Sequence, residues 1–320
     1  MSQRNEPDVK QGTQQSSIDD YVRRIAAEEA AKEAAKVSLA NRERLAEVKR
    51  ALESGLPREV TVRVGDLPTS RITGLVHEKF ELTLRLAAAG VPILLVGPAG
   101  CGKTHMVAQV AEAMKLPFYF TSVSAGMSEG VLGGRLLPVG EGGTFRYVRS
   151  EFVRAYEEGG LLLLDEIDGG DANTLTFTNS ALANGHRSVP NRPENPVARR
   201  HERFVCVAAA NTYGNGADRM YVGRNQLDAA TLDRFRVGTV TMDYDRNLER
   251  AMGIPEPILT WGEAMREALK THGLRRVVST RTLLNAAKAE AAGVKTGEWR
   301  QGFFGDWKAD ELSKLPKDVR

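Results

Sequence analysis

The sequence predicts an α/β domain built on a parallel, doubly wound five-stranded sheet and followed by a small helical domain. Two observations lead there. Gly97-Pro-Ala-Gly-Cys-Gly-Lys103-Thr104 directly follows the apolar run 91–96. Glycines at its first and sixth positions and a terminal Lys-Thr match a phosphate-binding loop, in which backbone N–H groups and the positive end of the next helix face one concavity. Short apolar runs at 91–96, 117–122, 160–165, 203–210 and 237–242 alternate with helical patterns at 103–115 and 172–184. That is the texture of parallel strands joined by crossover helices. Ligands of such sheets sit beyond the carboxyl ends of the strands, and the polar motifs fall at those ends.

At 320 residues the chain can hold one sizeable domain and a smaller one. Hydrophobic residues at 42% and charged residues at 27% are ordinary for a soluble globular protein. A net charge of +3 points to no strongly charged partner. Cys101 and Cys206 are far apart and suit neither a disulfide nor a metal site, as expected in a reducing cytoplasm. No signal-peptide core and no bilayer-length apolar run is present, so a soluble cytoplasmic protein without membrane contact is expected.

In chain order, residues 1–16 are polar and read as a disordered tail. An Ala/Glu/Lys/Arg-rich helix follows over 17–56, opened by Ser17 and stopped by Gly55 and Pro57. Its large apolar residues are sparse, so it reads either as a docking arm or as a solvated helix over the main domain. The α/β domain spans 57–243, with a short strand at 59–64 and a helix within 75–88. Helices at 257–271 and 280–291 form a helical domain over 244–293, marked by Pro257, Gly273, Ser279 and Gly293. The tail 294–320 carries Trp299, Phe303, Phe304 and Trp307, too aromatic to be left unpacked.

The loop residues Gly97, Pro98, Ala99, Gly100, Cys101, Gly102, Lys103 and Thr104, with His105 following, are the candidate nucleotide-binding set. Lys103 would reach the terminal phosphates of ATP, and Thr104 would offer its hydroxyl to Mg²⁺. His105 begins the helix without evident chemistry, and Cys101 is open to thiol reagents without being catalytic. A second motif, Leu161-Leu-Leu-Leu-Asp165-Glu166-Ile-Asp168, is a buried strand ending in acids. Asp165 fits the metal-side acid and Glu166 the general base that polarises water, whereas Asp168 reads as structural. Phe204-Val-Cys-Val-Ala-Ala-Ala-Asn211 ends a third strand with an Asn able to orient that water. Leu232-Asp-Arg234-Phe-Arg236 supplies arginine, suited to charge on a transferring phosphoryl group.

This order of motifs, with Ser279-Thr-Arg281 after it, resembles AAA+ ATPases over roughly 70–295. Within them it is most similar to the MoxR branch and to the CobS-type group, named for the ATPase subunit of cobalt chelatase and including short phage and bacterial relatives. Asn211-Thr-Tyr-Gly-Asn-Gly, Tyr221-Val-Gly and Leu232-Asp-Arg234-Phe carry that similarity. The resemblance implies that Asn211 is sensor 1, Arg281 sensor 2, and Arg234 the arginine finger reaching a neighbour's nucleotide. Arg236 is the runner-up, with Arg219 and Arg224 nearby. It also implies a ring, usually a hexamer, in which Mg²⁺-dependent ATP hydrolysis moves a partner protein. Many relatives work with a von Willebrand factor A domain, which this sequence lacks.

Two insertions remain. Residues 135–148 read as a hairpin with a Gly-rich turn, placed where the MoxR branch carries an insert facing the pore. Residues 186–203 hold Arg187, Arg192, Arg199, Arg200 and Arg203, read either as a grip on peptide or nucleic acid or as a solvated loop. His77 lies where relatives contact adenine, although lone histidines more commonly pack. Three functions are thus in view: a motor or chaperone remodelling a partner protein, a DNA-directed motor, and a nucleotide-gated scaffold with little turnover.

Overall fold

The structure, a computed structural model, describes residues 59–62, 70–139, 143–214, 216–217, 221 and 223–320. The 1–16 tail, the 17–56 helix and Arg219 lie outside the described residues. Strand β1 (Glu59–Val62) pairs antiparallel with β2 (Ser70–Thr73). Then come α1 (Phe80–Ala88), β3 (Ile93–Val96), α2 (Lys103–Ala113), β4 (Phe118–Ser122) and α3 (Glu129–Leu132). A hairpin of β5 (Arg135–Pro138) and β6 (Phe145–Val148) leads to α4 (Glu151–Glu158), β7 (Gly160–Asp165), a 3-10 turn (Ile167–Gly169) and α5 (Ala172–Asn184). A second hairpin, β8 (His186–Ser188) and β9 (Val197–Arg199), precedes β10 (Phe204–Ala210), α6 (Ala229–Phe235) and β11 (Thr239–Thr241). Five helices follow: α7 (Arg246–Ala251), α8 (Glu256–His272), α9 (Thr280–Ala291), α10 (Thr296–Phe303) and α11 (Ala309–Ser313).

The central sheet is five-stranded and parallel, in the order β11-β3-β10-β7-β4. Its inner strands are apolar along their length because helices cover both faces. The two-residue period divides them cleanly. Ile93, Leu95, Leu161, Leu163, Val205 and Val207 pack against α1 and α2, with Phe80, Leu84, Met106 and Val110. Leu94, Val96, Leu162, Leu164, Cys206 and Ala208 pack against α4 and α5, with Phe152, Tyr156, Leu175 and Phe177. Each buried leucine contributes about 1.5–3 kcal/mol, enough for four consecutive leucines to anchor β7 at the centre. Register then fixes function. Ala210 pairs with Val96 and Ala208 with Leu164, so the ends of β3, β10 and β7 open side by side.

The segment 186–203 folds back as the β8–β9 hairpin, a pairing that neither sequence expectation included. Arg187 pairs with Glu129, and Arg192 makes two bonds to Glu157 at 2.8 and 2.9 Å. Arg200 and Arg203 donate to the carbonyls of Leu182 and of Met114. These four arginines are therefore engaged within the chain. The first hairpin instead exposes Leu136, Leu137 and Phe145.

The helices from α8 onward share a third core of Ile258, Trp261, Met265, Leu269, Leu283 and others. Residues 294–320 belong to it, because Trp299, Phe303, Phe304 and Trp307 pack on it in mostly edge-to-face contacts. Among the described residues no helix is long and apolar enough to cross a membrane.

Candidate nucleotide and hydrolysis site

A cavity of about 850 Å³ lies between the sheet's carboxyl edge and the helical cluster. The loop residues Ala99 to Thr104 line it together with His105, Asp165, Glu166, Asn211 and Arg281. Gly97 is packed too closely for any side chain: a Cβ there would come within 2.5 Å of the Met242 carbonyl oxygen. Gly102 adopts φ 97°, a left-handed value that favours glycine, and hands the chain to α2 at Lys103.

Lys103 is 7% exposed. Its Nζ donates to the carbonyls of Gly97 (2.7 Å) and Pro98 (3.1 Å) and to Asn211 Oδ1 (2.9 Å). Burial holds its pKa below the ordinary lysine value, with Asp165 and Asp168 among the charges that oppose the shift. The adjacent Cys101 is buried and its thiol is pushed up by desolvation, so the open reactivity expected of it is not what this site provides. Thr104 Oγ1 donates to Asp165 Oδ2 at 2.9 Å. A hydroxyl beside a carboxylate is a set of hard oxygen donors that suits Mg²⁺, which keeps several waters and takes few protein ligands. Among the described residues no cluster of three or more His, Cys, Asp or Glu side chains is arranged for a metal.

Glu166 follows in the left-handed region at φ 55°, ψ 38°. A non-glycine residue there costs on the order of 1 kcal/mol or more, held here by the 3-10 turn and by the Glu166 amide donating to Asp165 Oδ1 at 3.0 Å. Its side chain is 49% exposed and faces Arg224 at 3.3 Å. Asp168, read from sequence as structural, is fully buried. Its Oδ2 accepts from the amides of Asn211 (3.1 Å) and Thr212 (3.0 Å) and from Thr212 Oγ1 (2.9 Å). The acid thus fixes the end of β10 and sets Asn211 against Lys103.

Arg281 reaches the cavity from the first turn of α9, which Ser279 caps by accepting from the Thr282 amide at 3.2 Å. Arg234 and Arg236 are not among the residues lining the cavity. His77 lines it, yet its Nε2 meets the Asp243 carbonyl at 3.0 Å and its Nδ1 accepts from the Lys79 amide at 3.1 Å. Both ring nitrogens are engaged by the fold.

Two tyrosines hold the loop from outside: Tyr221, named from sequence only as part of a family motif, and Tyr244, which the sequence reading did not single out. The Ala99 amide donates to Tyr221 Oη at 2.9 Å, and Tyr244 Oη donates to the Ala99 carbonyl at 3.0 Å. Burial raises the Tyr244 phenol, keeping it a donor. The Arg266 guanidinium lies 3.8 Å from the centre of the Tyr244 ring. It also bonds buried Glu249 at 2.7 and 3.0 Å and the Val278 carbonyl at 2.8 Å, while Thr280 Oγ1 reaches Glu249 at 2.6 Å. The one sequence signal for Tyr244 is its place shortly after the last strand, beside the phosphate loop's own strand.

Residues 92–235 match the AAA domain of the dynein-related subfamily. The denitrification regulatory protein NirQ of Pseudomonas aeruginosa is 29% identical over 241 residues, 72% of this chain and 87% of that protein. NirQ of Stutzerimonas stutzeri is 27% identical over 215 residues, covering 64% and 74%. NorQ of Paracoccus denitrificans is 38% identical over 81 residues, covering 25% and 29%.

Proposed function

We propose, for a chain whose residues 92–235 match the AAA domain of the dynein-related subfamily, that it is a MoxR-type ATPase that hydrolyses ATP with Mg²⁺ and uses the cycle to remodel a partner protein. The observation that carries this reading is the convergence of Lys103, Thr104, Asp165, Glu166 and Asn211 on one cavity edge, with Lys103 bonded to Asn211 and Thr104 to Asp165. Lys103 exchanges its carbonyl partners for the terminal phosphate oxygens of bound ATP. Thr104 and Asp165 would hold Mg²⁺, which when bound neutralises charge on those oxygens. Glu166 accepts the proton of the attacking water on its carboxylate, and Asn211 orients that water. Arg281 meets the phosphates from the helical side.

A ring, by family resemblance a hexamer, accounts for Arg234 lying outside its own cavity lining: it would act in a neighbour's site. A protein partner is favoured over DNA because Arg187, Arg192, Arg200 and Arg203 are engaged internally, while the β5–β6 hairpin exposes Leu136, Leu137 and Phe145. A von Willebrand factor A domain on a separate chain is one such partner, and the setting is the cytoplasm. A regulatory role also fits the name of NirQ, a denitrification regulatory protein.

The test is Mg²⁺-dependent ATP turnover by the full chain. Lys103→Ala is expected to abolish nucleotide binding or turnover. Glu166→Gln is expected to bind ATP while losing about 100-fold or more in turnover, and to retain its assembled mass in light scattering. Wild-type activity in the Lys103 variant would refute the site.

A further inference from the structure

We propose that Arg224 is a positioning residue for Glu166, seated on buried Asp168 and holding the base carboxylate beside the phosphate loop. The inference rests on reading Glu166 as the base. One guanidinium nitrogen of Arg224 lies 3.3 Å from Asp168 Oδ1 and the other 3.3 Å from Glu166 Oε1. Asp168 Oδ1 has no hydrogen-bond partner of its own among the described groups, so the guanidinium is the charge that answers it.

The seat is built rather than incidental. Arg224 is only 16% exposed although it belongs to a connecting segment. A Cβ on Gly169 would come to 3.0 Å from its Nη1, so glycine there leaves room for the guanidinium against the turn. The next residue, Asn225, pins the segment by donating its amide to the Asp168 carbonyl (2.7 Å) and its Nδ2 to the Gly170 carbonyl (2.9 Å).

Glu166 needs such a partner. Half exposed and next to the Asp165 carboxylate, its side chain has no other hydrogen bond among those the structure describes and would otherwise sample several rotamers. A planar fork can bridge two carboxylates, which a lysine point charge cannot do with the same geometry. At 3.3 Å the contact is ionic and longer than a tight charge-assisted bond, so the carboxylate can tilt toward water without losing the charge. The other oxygen of Asp168 fixes Asn211 and Thr212. Base, water-orienting Asn and phosphate-loop Lys therefore share one frame. Sequence reasoning counted Arg224 among the possible trans-acting fingers; its two partners in its own chain give it a different task.

Steady-state turnover and separately measured ATP affinity test this on the full chain. Arg224→Met is expected to lower kcat roughly 10- to 100-fold, the scale of a misplaced base, with ATP affinity within about twofold. Arg224→Lys should recover only part of the loss, and Arg224→Met combined with Glu166→Gln should be no slower than Glu166→Gln alone. A kcat for Arg224→Met equal to or above wild type, a loss confined to affinity, or multiplicative losses in the double variant would each overturn the proposal. Should Arg224→Met not fold, Arg224→Lys decides: lower kcat with intact affinity supports it, and unchanged kcat overturns it. Wild-type protein without turnover would strike down the reading of Glu166 and this inference together, whereas normal wild-type turnover with an unaffected Arg224→Met strikes down this inference alone.

Discussion

Asp168 shows how much one buried side chain can organise. It is fully buried, and its two oxygens face two backbone amides, one hydroxyl and one guanidinium. Removing the acid would leave Arg224 unpaired and the end of β10 undersatisfied. Asp168→Ala is accordingly expected to lower stability by about 3–5 kcal/mol, the cost of breaking a buried pair from one side. Urea denaturation measures it, and a loss under 1 kcal/mol would show that water replaces the carboxylate readily. At this scale the sequence was informative where a residue's chemistry is local. Lys103, Thr104, Asp165 and Glu166 sit in runs whose spacing alone brings them to strand ends. Arg224 and Tyr244 were not legible in the same way, because their partners are 56 and 145 residues away and only the sheet order brings them together.

Helix α9 is the element that carries Thr280 and Arg281 into the cavity, and its start depends on Ser279. Ser279→Ala removes the bond to the Thr282 amide and is expected to cost about 1 kcal/mol. For a unit of this size that is a fall of about 2–4 °C in Tm, readable by calorimetry; an unchanged Tm would mean that the cap bears no weight. Strands β3, β7 and β10 were legible because burial on both faces demands unbroken apolar runs. Helix α4 was less so, although Ser150 caps it and Phe152, Val153, Ala155 and Tyr156 are its buried face. Eight residues hold too few turns for periodicity to stand out. The three-residue strands β8 and β9 had no local signal, since charged side chains and prolines mask a pairing that the surrounding packing imposes.

On the scale of the whole molecule, the carboxyl-terminal residues are part of the helical core rather than an appendage. Trp261 Nε1 donates to the Val319 carbonyl at 2.8 Å, and Leu315 and Val319 are buried beside it. Trp299 and Phe303 sit four residues apart on α10, with Phe304 and Trp307 just beyond its end, but a single tail offers no facing element from which to read the pattern. Truncation after Gly293 would strip several large aromatics from this core. These aromatics are partly buried, so each is worth less than the roughly 3–5 kcal/mol of a fully buried one. With buried Leu315 and Val319 also lost, the sum is comparable with the usual stability margin of about 5–15 kcal/mol. The shortened chain is expected to lose its cooperative thermal transition and to be cut rapidly within 246–293 in limited proteolysis. A protected fragment with native near-ultraviolet dichroism would contradict this.

The two phenols on the Ala99 peptide bear on how such chains can be recombined. Tyr244 stands at the seam between sheet and helices, with Arg266 of α8 over its ring and Tyr221 on the other side of the same peptide. A hybrid that grafts a relative's helical region onto this sheet would leave the phosphate loop held on one side only, unless the donor restores a cation above that ring. A crossover directly after Tyr244 keeps the phenol but replaces Glu249 and Arg266, so the donor must bring an equivalent acid and cation as a pair.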